Sequence, residues 1–263
     1  MRGAPYAAVL GCVLRVPCDK NFIMSHNSSP QDKSRQVLAH FNRVAARYDL
    51  MNSLLSFGLH HWWKRVAVGL LALKPGERVL DVCGGTGDLA MIAARPIGPQ
   101  GRIVVYDFSR AMLEAGRPKI AAVSLAGRIL HVQGDAQRLA FPDGRFDAAM
   151  VGFGIRNLSS MEAGFKEMHR VLKPSGRVMC LEFSRPVTPW FRRVYDLYSF
   201  AVMPLTGKII AGSREAYSYL PESIRQFPLP DELSALLRNL GFTRVSYRRL
   251  TNGIAVAHIG IKM

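Results

Sequence analysis

The stretch RVLDVCGGTGDLA, residues 78–90, constrains this chain more than any other. An apolar, β-branched run ends in Asp81, passes through Gly84, Gly85 and Gly87, and re-enters a helix-like pattern. Glycines at a strand-to-helix corner allow a tight turn and let backbone approach a ligand with no Cβ in the way. Such a corner makes room for a nucleotide. The pattern Gly85-x-Gly87-x-x-Ala90 also satisfies the loose dinucleotide fingerprint, so a nicotinamide cofactor stays open at this point.

The flanking sequence alternates between two periods. Apolar spacing predicts helices over Gln36–Tyr48 and His60–Leu73, then a strand Arg78–Cys83 and a helix Asp88–Ala94. Strands follow at Arg102–Tyr106, Arg128–Gln133, Phe146–Gly152 and Arg177–Phe183, with helices Arg110–Leu125 and Met161–Leu172 between them. Such alternation implies a Rossmann-like α/β fold with a mostly parallel sheet covered on both faces. After a helix Asp231–Leu240 the pattern changes to two strand-like runs joined at Thr251-Asn252-Gly253, a hairpin signal. A parallel sheet that ends in an antiparallel hairpin resembles the layout of the seven-stranded, class I S-adenosylmethionine-dependent methyltransferases. An ordinary dinucleotide-binding half would continue strand–helix–strand instead.

Of the 263 residues, 49% are hydrophobic and 21% charged, the balance of a globular domain. No apolar run reaches the roughly 18 residues of a membrane span. Net charge is +16, which suits an anionic partner such as a lipid headgroup surface, nucleic acid or an anionic substrate. The basic residues are scattered rather than blocked. Residues 1–32 read as a disordered or mis-started extension with Met24 as the expected start, and 33–263 as one methyltransferase domain with an N-terminal helical cap. An aromatic-rich insertion over about 185–230 is the expected substrate lid, with Tyr195, Tyr198, Phe200, Ile209 and Ile210 as candidates for an apolar groove. Cys83 and Cys180 read as small buried hydrophobes, and no spacing suits a metal. A reducing cytoplasm follows, with peripheral association at the inner face of the cell membrane. The oligomeric state stays open between monomer and homodimer.

Three carboxylates close successive strands. Asp81 suits a cationic group such as a methionine amino group. Asp107, ending IVVYD, can take both hydroxyls of a ribose. Asp135, in QGDAQRLAF, can accept from an adenine amino group beside the Ala136 amide. These are the strand carboxyl ends at which open α/β sheets bind ligands.

Two longer motifs narrow the class. YDLMNSLLSFGLHHWW carries Tyr48, Asp49, Met51, Asn52, Leu55, Ser56, His60 and Trp63; RVLKPSGRVMCLEFS carries Arg170–Pro174, Gly176 and Leu181–Ser184. With FGIRN (153–157) and SYLPESIRQFP (218–228), they make the chain resemble the ubiquinone/menaquinone biosynthesis C-methyltransferase family from about Lys33 to Met263. The resemblance implies S-adenosyl-L-methionine as cofactor and a prenylated quinol as acceptor, a demethylmenaquinol in a menaquinone maker. It carries over cofactor contacts at Thr86, Asp107, Asp135 and Ala136. Ser175 stands where the family usually has a second glycine, and Gly152 where some members have a serine contact.

Carbon methylation needs an electron-rich ring carbon, so the neighbouring hydroxyl must ionise; a phenol's reference pKa is about 10. A cation or a base must therefore favour the phenolate. Arg156 is the candidate for the oxyanion, with Tyr48, Asp49, Asn52 and His60 as a polar rim brought over the crevice by the N-terminal helices. Trp62 and Trp63 read as core, and Glu182 as either structural or pocket-facing. An RNA or DNA methyltransferase, or one acting on another small molecule, is the alternative. The position after strand four reads GFGIR, without the Asp/Asn-Pro-Pro-aromatic loop or the cysteine such enzymes use, so no nucleic-acid partner is expected.

Overall fold

The computed structural model describes residues 30–199 and 223–263. Cys12, Cys18, Met24, Phe200, Ile209, Ile210 and the start of SYLPESIRQFP lie outside the described residues.

The N-terminal cap differs from the periodicity reading. Helix α1 (Pro30–Val44) reaches back into the segment read as a lead-in, starting on a proline whose missing N–H costs nothing in a first turn. A 3₁₀ turn (Ala45–Arg47) separates it from α2 (Tyr48–Leu55). Val37, Phe41, Val44 and Tyr48 keep helical spacing across that turn, so the break leaves no mark on the pattern. Gly58, at φ +74°, reverses the chain into α3 (Leu59–Leu70).

Strands β1 (Arg78–Val82), β2 (Arg102–Asp107), β3 (Ile129–Gln133), β4 (Phe146–Gly152) and β5 (Leu172–Phe183) run parallel. β6 (Phe242–Leu250) and β7 (Ala255–Lys262) complete a seven-stranded sheet in the order β3-β2-β1-β4-β5-β7-β6, with β7 antiparallel to both its neighbours. The predicted strand order class is therefore the one observed. The reversal between β6 and β7 is a three-residue turn, Thr251–Gly253, with all three residues at positive φ. β5 begins five residues earlier than expected, because Leu172 pairs with Phe146 before a register shift resumes at Arg177 opposite Ala148.

Alternate strand residues feed two cores. Val79, Ile103, Val105, Met150 and Met179 pack under α3, α4 (Asp88–Ala93) and α5 (Arg110–Ala122). Leu80, Val82, Ala149, Val178 and Cys180 pack under α6 (Met161–Val171) and α8 (Pro230–Asn239). Ser109 and Ser160 cap α5 and α6 by accepting from Met112 and Ala163 N–H groups. A further helix, α7 (Pro189–Leu197), opens the aromatic insertion. The β1–β4 neighbourhood is where strand order reverses, and the crevice opens beyond these carboxyl ends.

Candidate active site

Two cavities meet at that crevice. The smaller, about 80 Å³, is lined by Gly85 after β1, Asp107 at the end of β2, Asp135 and Ala136 after β3, and Gly152 at the end of β4. Val37, Leu38 and Phe41 of α1 cover it. Asp107 accepts from Gly85 N–H (2.9 Å) through Oδ2 and from Ser109 N–H (2.8 Å) through Oδ1, with Phe108 N–H as a third backbone donor, which still leaves room to accept from a ribose hydroxyl. Burial lifts its pKa to about 6. Asp135 Oδ1 accepts from Gln137 N–H at 2.9 Å. A Cβ at Gly152 would meet Leu89 Cδ1 at 2.7 Å, so Leu89 occupies the space a serine would need.

Other residues predicted for the cofactor stand one layer back. Asp81 does not line the cavity: it is fully buried, and Oδ2 accepts from Ala90 N–H (3.1 Å), tying β1 to α4. Its Oδ1 has no partner, and burial raises its pKa to about 8. Gly87, at φ +80°, packs against Ile120 rather than lining the cavity. Thr86 lines neither cavity either; its hydroxyl donates to Asp49 Oδ1 at 2.8 Å. Cys83 lies just past β1 at φ +52°, half-buried, packed against the second core on one side and lining the smaller cavity on the other. Cys180 is buried as expected.

The larger cavity, about 380 Å³, is walled mainly by apolar and aromatic groups from α2, α3, the β4 and β5 ends, and α7. Tyr48, Asn52, His60, Lys64 and Arg156 are among its polar lining. Phe41, Tyr48, Phe153 and Asn157 line both cavities, so the two meet there. Trp63 is core and wall at once, donating from Nε1 to Thr251 Oγ1 at 2.8 Å; Trp62 is exposed, against expectation. Tyr195 and Tyr198 line the cavity as predicted, and Tyr198 Oη donates to Leu55 O at 2.8 Å, joining the insertion to α2.

Arg156 sits in the 3₁₀ turn after β4 and donates from Nη1 to Phe153 O (2.6 Å) and to Glu182 Oε2 (2.8 Å). Glu182 is buried, which raises its pKa against the pull of Arg156. It therefore backs Arg156 and does not line either cavity. Burial, with Lys64 close by, lowers the His60 pKa to about 4, leaving the ring neutral at pH 7. Ser53 Oγ donates its single proton to Asp49 O (2.9 Å), so His60 Nε2, 3.1 Å from Ser53 Oγ, is the donor in their contact. Burial raises the Tyr48 pKa, although a hydrogen bond with the Asn52 side chain opposes it.

Asp49 is the clear departure from the predicted rim. It lines neither cavity and is part of an ionic network instead. Lys119 Nζ donates to Asp49 Oδ2 (2.7 Å), Thr86 Oγ1 (2.8 Å) and Asp88 Oδ1 (2.5 Å), and Lys64 Nζ donates to Asp88 Oδ2 (2.6 Å). The two lysines hold the Asp88 carboxyl below its usual range in spite of its burial. Lys64, Asp88 and Lys119 had no sequence signal of their own, since their partners lie 24 to 70 residues away.

A glycine corner without side chains, a carboxylate with spare lone pairs at β2 and an acidic residue with a buried alanine after β3 fit an S-adenosyl group. Together with a sheet ending in an antiparallel pair, they define a class I S-adenosyl-L-methionine-dependent methyltransferase. The chain belongs to the ubiE/COQ5 methyltransferase family, whose model matches residues 29–262. It is 46% identical over 230 residues to the ubiquinone/menaquinone biosynthesis C-methyltransferase UbiE of Ectopseudomonas mendocina, covering 88% of this chain and 90% of that one. To the protein of the same name from Pseudomonas fluorescens it is 45% identical over 236 residues, covering 90% and 92%. Among solved structures, an S-adenosylmethionine-dependent methyltransferase of Thermotoga maritima matches with a TM-score of 0.60 at 19% identity, over 86% of this chain and all of that one. The [4+2]-cyclase SpnF matches with a TM-score of 0.63 at 16% identity, over 87% and 96%. These two likenesses concern the fold.

Proposed function

We propose that this enzyme transfers a methyl group to a ring carbon of a prenylated hydroquinone, with demethylmenaquinol as the principal acceptor and the ubiquinone-pathway benzoquinol as a second. The observation that carries this reading is the apolar cavity of about 380 Å³ that meets the cofactor cavity at Tyr48 and Phe153. The UbiE name of relatives at 46% identity supports the quinone class. In this reading Gly85, Asp107, Asp135 and Ala136 hold the cofactor directly, while Asp81, Thr86 and Gly87 fix the shape of the corner.

S-adenosyl-L-methionine supplies an electrophilic methyl, whose bond to sulfur breaks with the electron pair left on sulfur. The chain's own work is to ready the acceptor. The quinol hydroxyl gives up its proton to water, the ring carbon beside it forms the new carbon–carbon bond, and that carbon then loses its hydrogen as a proton, restoring the aromatic ring. Arg156 is held against Glu182 and offers its guanidinium to the acceptor oxygen; Tyr48, Asn52 and neutral His60 complete the polar lining.

The isoprenoid tail needs a route in from lipid. Leu50, Leu54 and Phe57 on and just after α2, and Trp190, Val194 and Leu197 on α7, form two exposed apolar stripes at helical spacing. Phe57 and Val194 also line the larger cavity, and Phe57 contacts the Tyr198 ring at 5.7 Å. With exposed Arg192 and Arg193 beside them, these stripes favour an anionic bilayer surface at the inner face of the cell membrane. Among the described residues no helix is long and apolar enough to cross a membrane.

Turnover of chemically reduced prenyl-naphthoquinol against prenyl-benzoquinol tests the acceptor. Transfer to both, faster to the naphthoquinol, is expected; transfer to neither would refute the reading.

A further inference from the structure

The residue that follows β4 is unexpected on backbone grounds. In Gly152-Phe153-Gly154 the left-handed position, at φ +60°, belongs to the phenylalanine and to neither glycine. The glycines are needed for space instead. A Cβ at Gly152 would meet Leu89 at 2.7 Å, and one at Gly154 would overlap Cys83 Cβ. A left-handed φ strains a bulky residue, and strain of this kind gathers at functional sites. A third glycine would relieve it and lose the ring.

The ring is firmly held. Phe153 N–H donates to Leu181 O (2.8 Å), Phe153 O accepts from Arg156 Nη1 (2.6 Å), and the Phe183 ring packs on it at a centroid distance of 4.4 Å. Phe153 lines both cavities. Phe41 of α1 and Tyr48 of α2, edge to face with each other at 6.0 Å, reach the same neck from the helical cap. With Asn157 they are the described residues common to the two cavities: three aromatic rings, one amide and no carboxylate.

A methyl that passes between the cavities crosses this neck, and it arrives on a positively charged sulfur. A sulfonium has no N–H or O–H to donate, so hydrogen bonds do not answer its charge, and a buried charge left unanswered is costly. Asp107 and Asp135 line only the smaller cavity. Arg156 and Lys64, which line the larger, are each paired with a carboxylate, Glu182 at 2.8 Å and Asp88 at 2.6 Å. The neck itself offers the negative faces of aromatic rings, which attract a cation within about 6 Å of a ring centre.

We infer that Phe153, with Phe41 and Tyr48, forms an aromatic cage that holds the sulfonium of S-adenosyl-L-methionine by its charge and lets go of S-adenosylhomocysteine, whose sulfur is neutral. This inference rests on the proposed reading that the larger cavity takes the acceptor. It adds the residues that tell the cofactor from its spent form.

Fluorine withdraws electron density from a ring face while largely keeping its shape. Replacing Phe153 by mono-, di- and trifluorophenylalanine in the full chain therefore separates charge from packing. Calorimetric titration with S-adenosyl-L-methionine should show affinity falling stepwise, by about tenfold over the series, while affinity for S-adenosylhomocysteine changes by less than about twofold. Phe153→Leu and Phe41→Leu should likewise cost the charged ligand more than the neutral one. Retained S-adenosylhomocysteine binding verifies that each variant is folded. Affinity for the charged ligand that ignores fluorination, or equal losses for both ligands, would overturn the cage and leave the rings as packing. Methyl transfer to the prenyl quinols, measured on the same preparations, separates the two readings. Its failure with the fluorine dependence intact refutes the acceptor and not the cage.

Discussion

Arg156 Nη1 lies 2.8 Å from Glu182 Oε2, and both side chains are buried. Removing one partner of such a pair strands the other, at a typical cost of about 3 kcal/mol or more. Glu182→Ala is therefore expected to destabilise the protein by about that much, and Glu182→Gln, which keeps an acceptor, by clearly less. Urea unfolding of the two variants measures the difference. Equal losses would mean that packing, not charge, holds the pair.

Lys119 places three donors on Asp49, Thr86 and Asp88, and so fastens α2, which walls the acceptor cavity, to the glycine corner. Lys119→Met and Asp49→Asn should raise the acceptor KM more than the cofactor KM. They should be non-additive in a double-mutant cycle by about 1 kcal/mol, a modest figure because Asp49 is partly exposed. Loosening of α2 should also appear as faster amide exchange over Tyr48–Leu55. Additive effects would contradict a shared contact.

Burial raises the Asp81 pKa to about 8 in the folded chain, against 3.8 for a free aspartate side chain. Between those values the folded state holds a proton that the unfolded state has released. The unfolded chain thus binds fewer protons, and this group's contribution to stability falls as pH rises from about 4 to about 8, by up to about 1.4 kcal/mol per pH unit. Asp81→Asn should remove that slope, so the variant gains on wild type with rising pH. Thermal unfolding of both proteins, without cofactor, across that window is the check; parallel curves would show that the Asp81 pKa is not raised.

Ser175 holds φ +64° on an exposed bend of β5, a conformation that costs an L-residue about 1 kcal/mol or more. Part of the gain from glycine is offset by its freer unfolded chain, so Ser175→Gly should stabilise by about 0.5 kcal/mol. A melting temperature raised by a degree or two, with unchanged turnover, is the expected outcome; a lowered one would refute the strain.

The apolar stripes predict salt-sensitive binding to anionic vesicles. A Phe57→Ser/Trp190→Ser/Leu197→Ser variant should lose most of it while retaining S-adenosylhomocysteine binding. Equal partition onto neutral vesicles would count against the part given to Arg192 and Arg193.

Much of the architecture was legible because strand and helix periods differ and glycine breaks them sharply, as at Gly84–Gly87. That Asp107, Asp135 and Ala136 share one cavity follows from the same pattern: they close or follow strand ends, and strand ends converge. Asp49 and Thr86 were misplaced because their partner Lys119 comes from another element, and nothing in local spacing links them. Asp81 resembled a ligand-facing carboxylate, yet alternation along β1 turns it inward toward α4, on the side of Val79. The exposed stripe of α2 was not legible, because apolar residues at helical spacing look the same whether they face a core or a solvent.

In the proposed reaction a methyl passes from the cofactor cavity to a ring carbon in the cavity beyond Tyr48 and Phe153. Incubation of the full chain with S-adenosyl-L-methionine carrying a carbon-13 methyl and reduced demethylmenaquinone, followed by NMR of the extracted product, tests it most directly. The label is expected as an aryl methyl on the quinone ring; a methoxy signal, or unlabelled quinone from protein that binds S-adenosylhomocysteine, would refute the transfer to carbon.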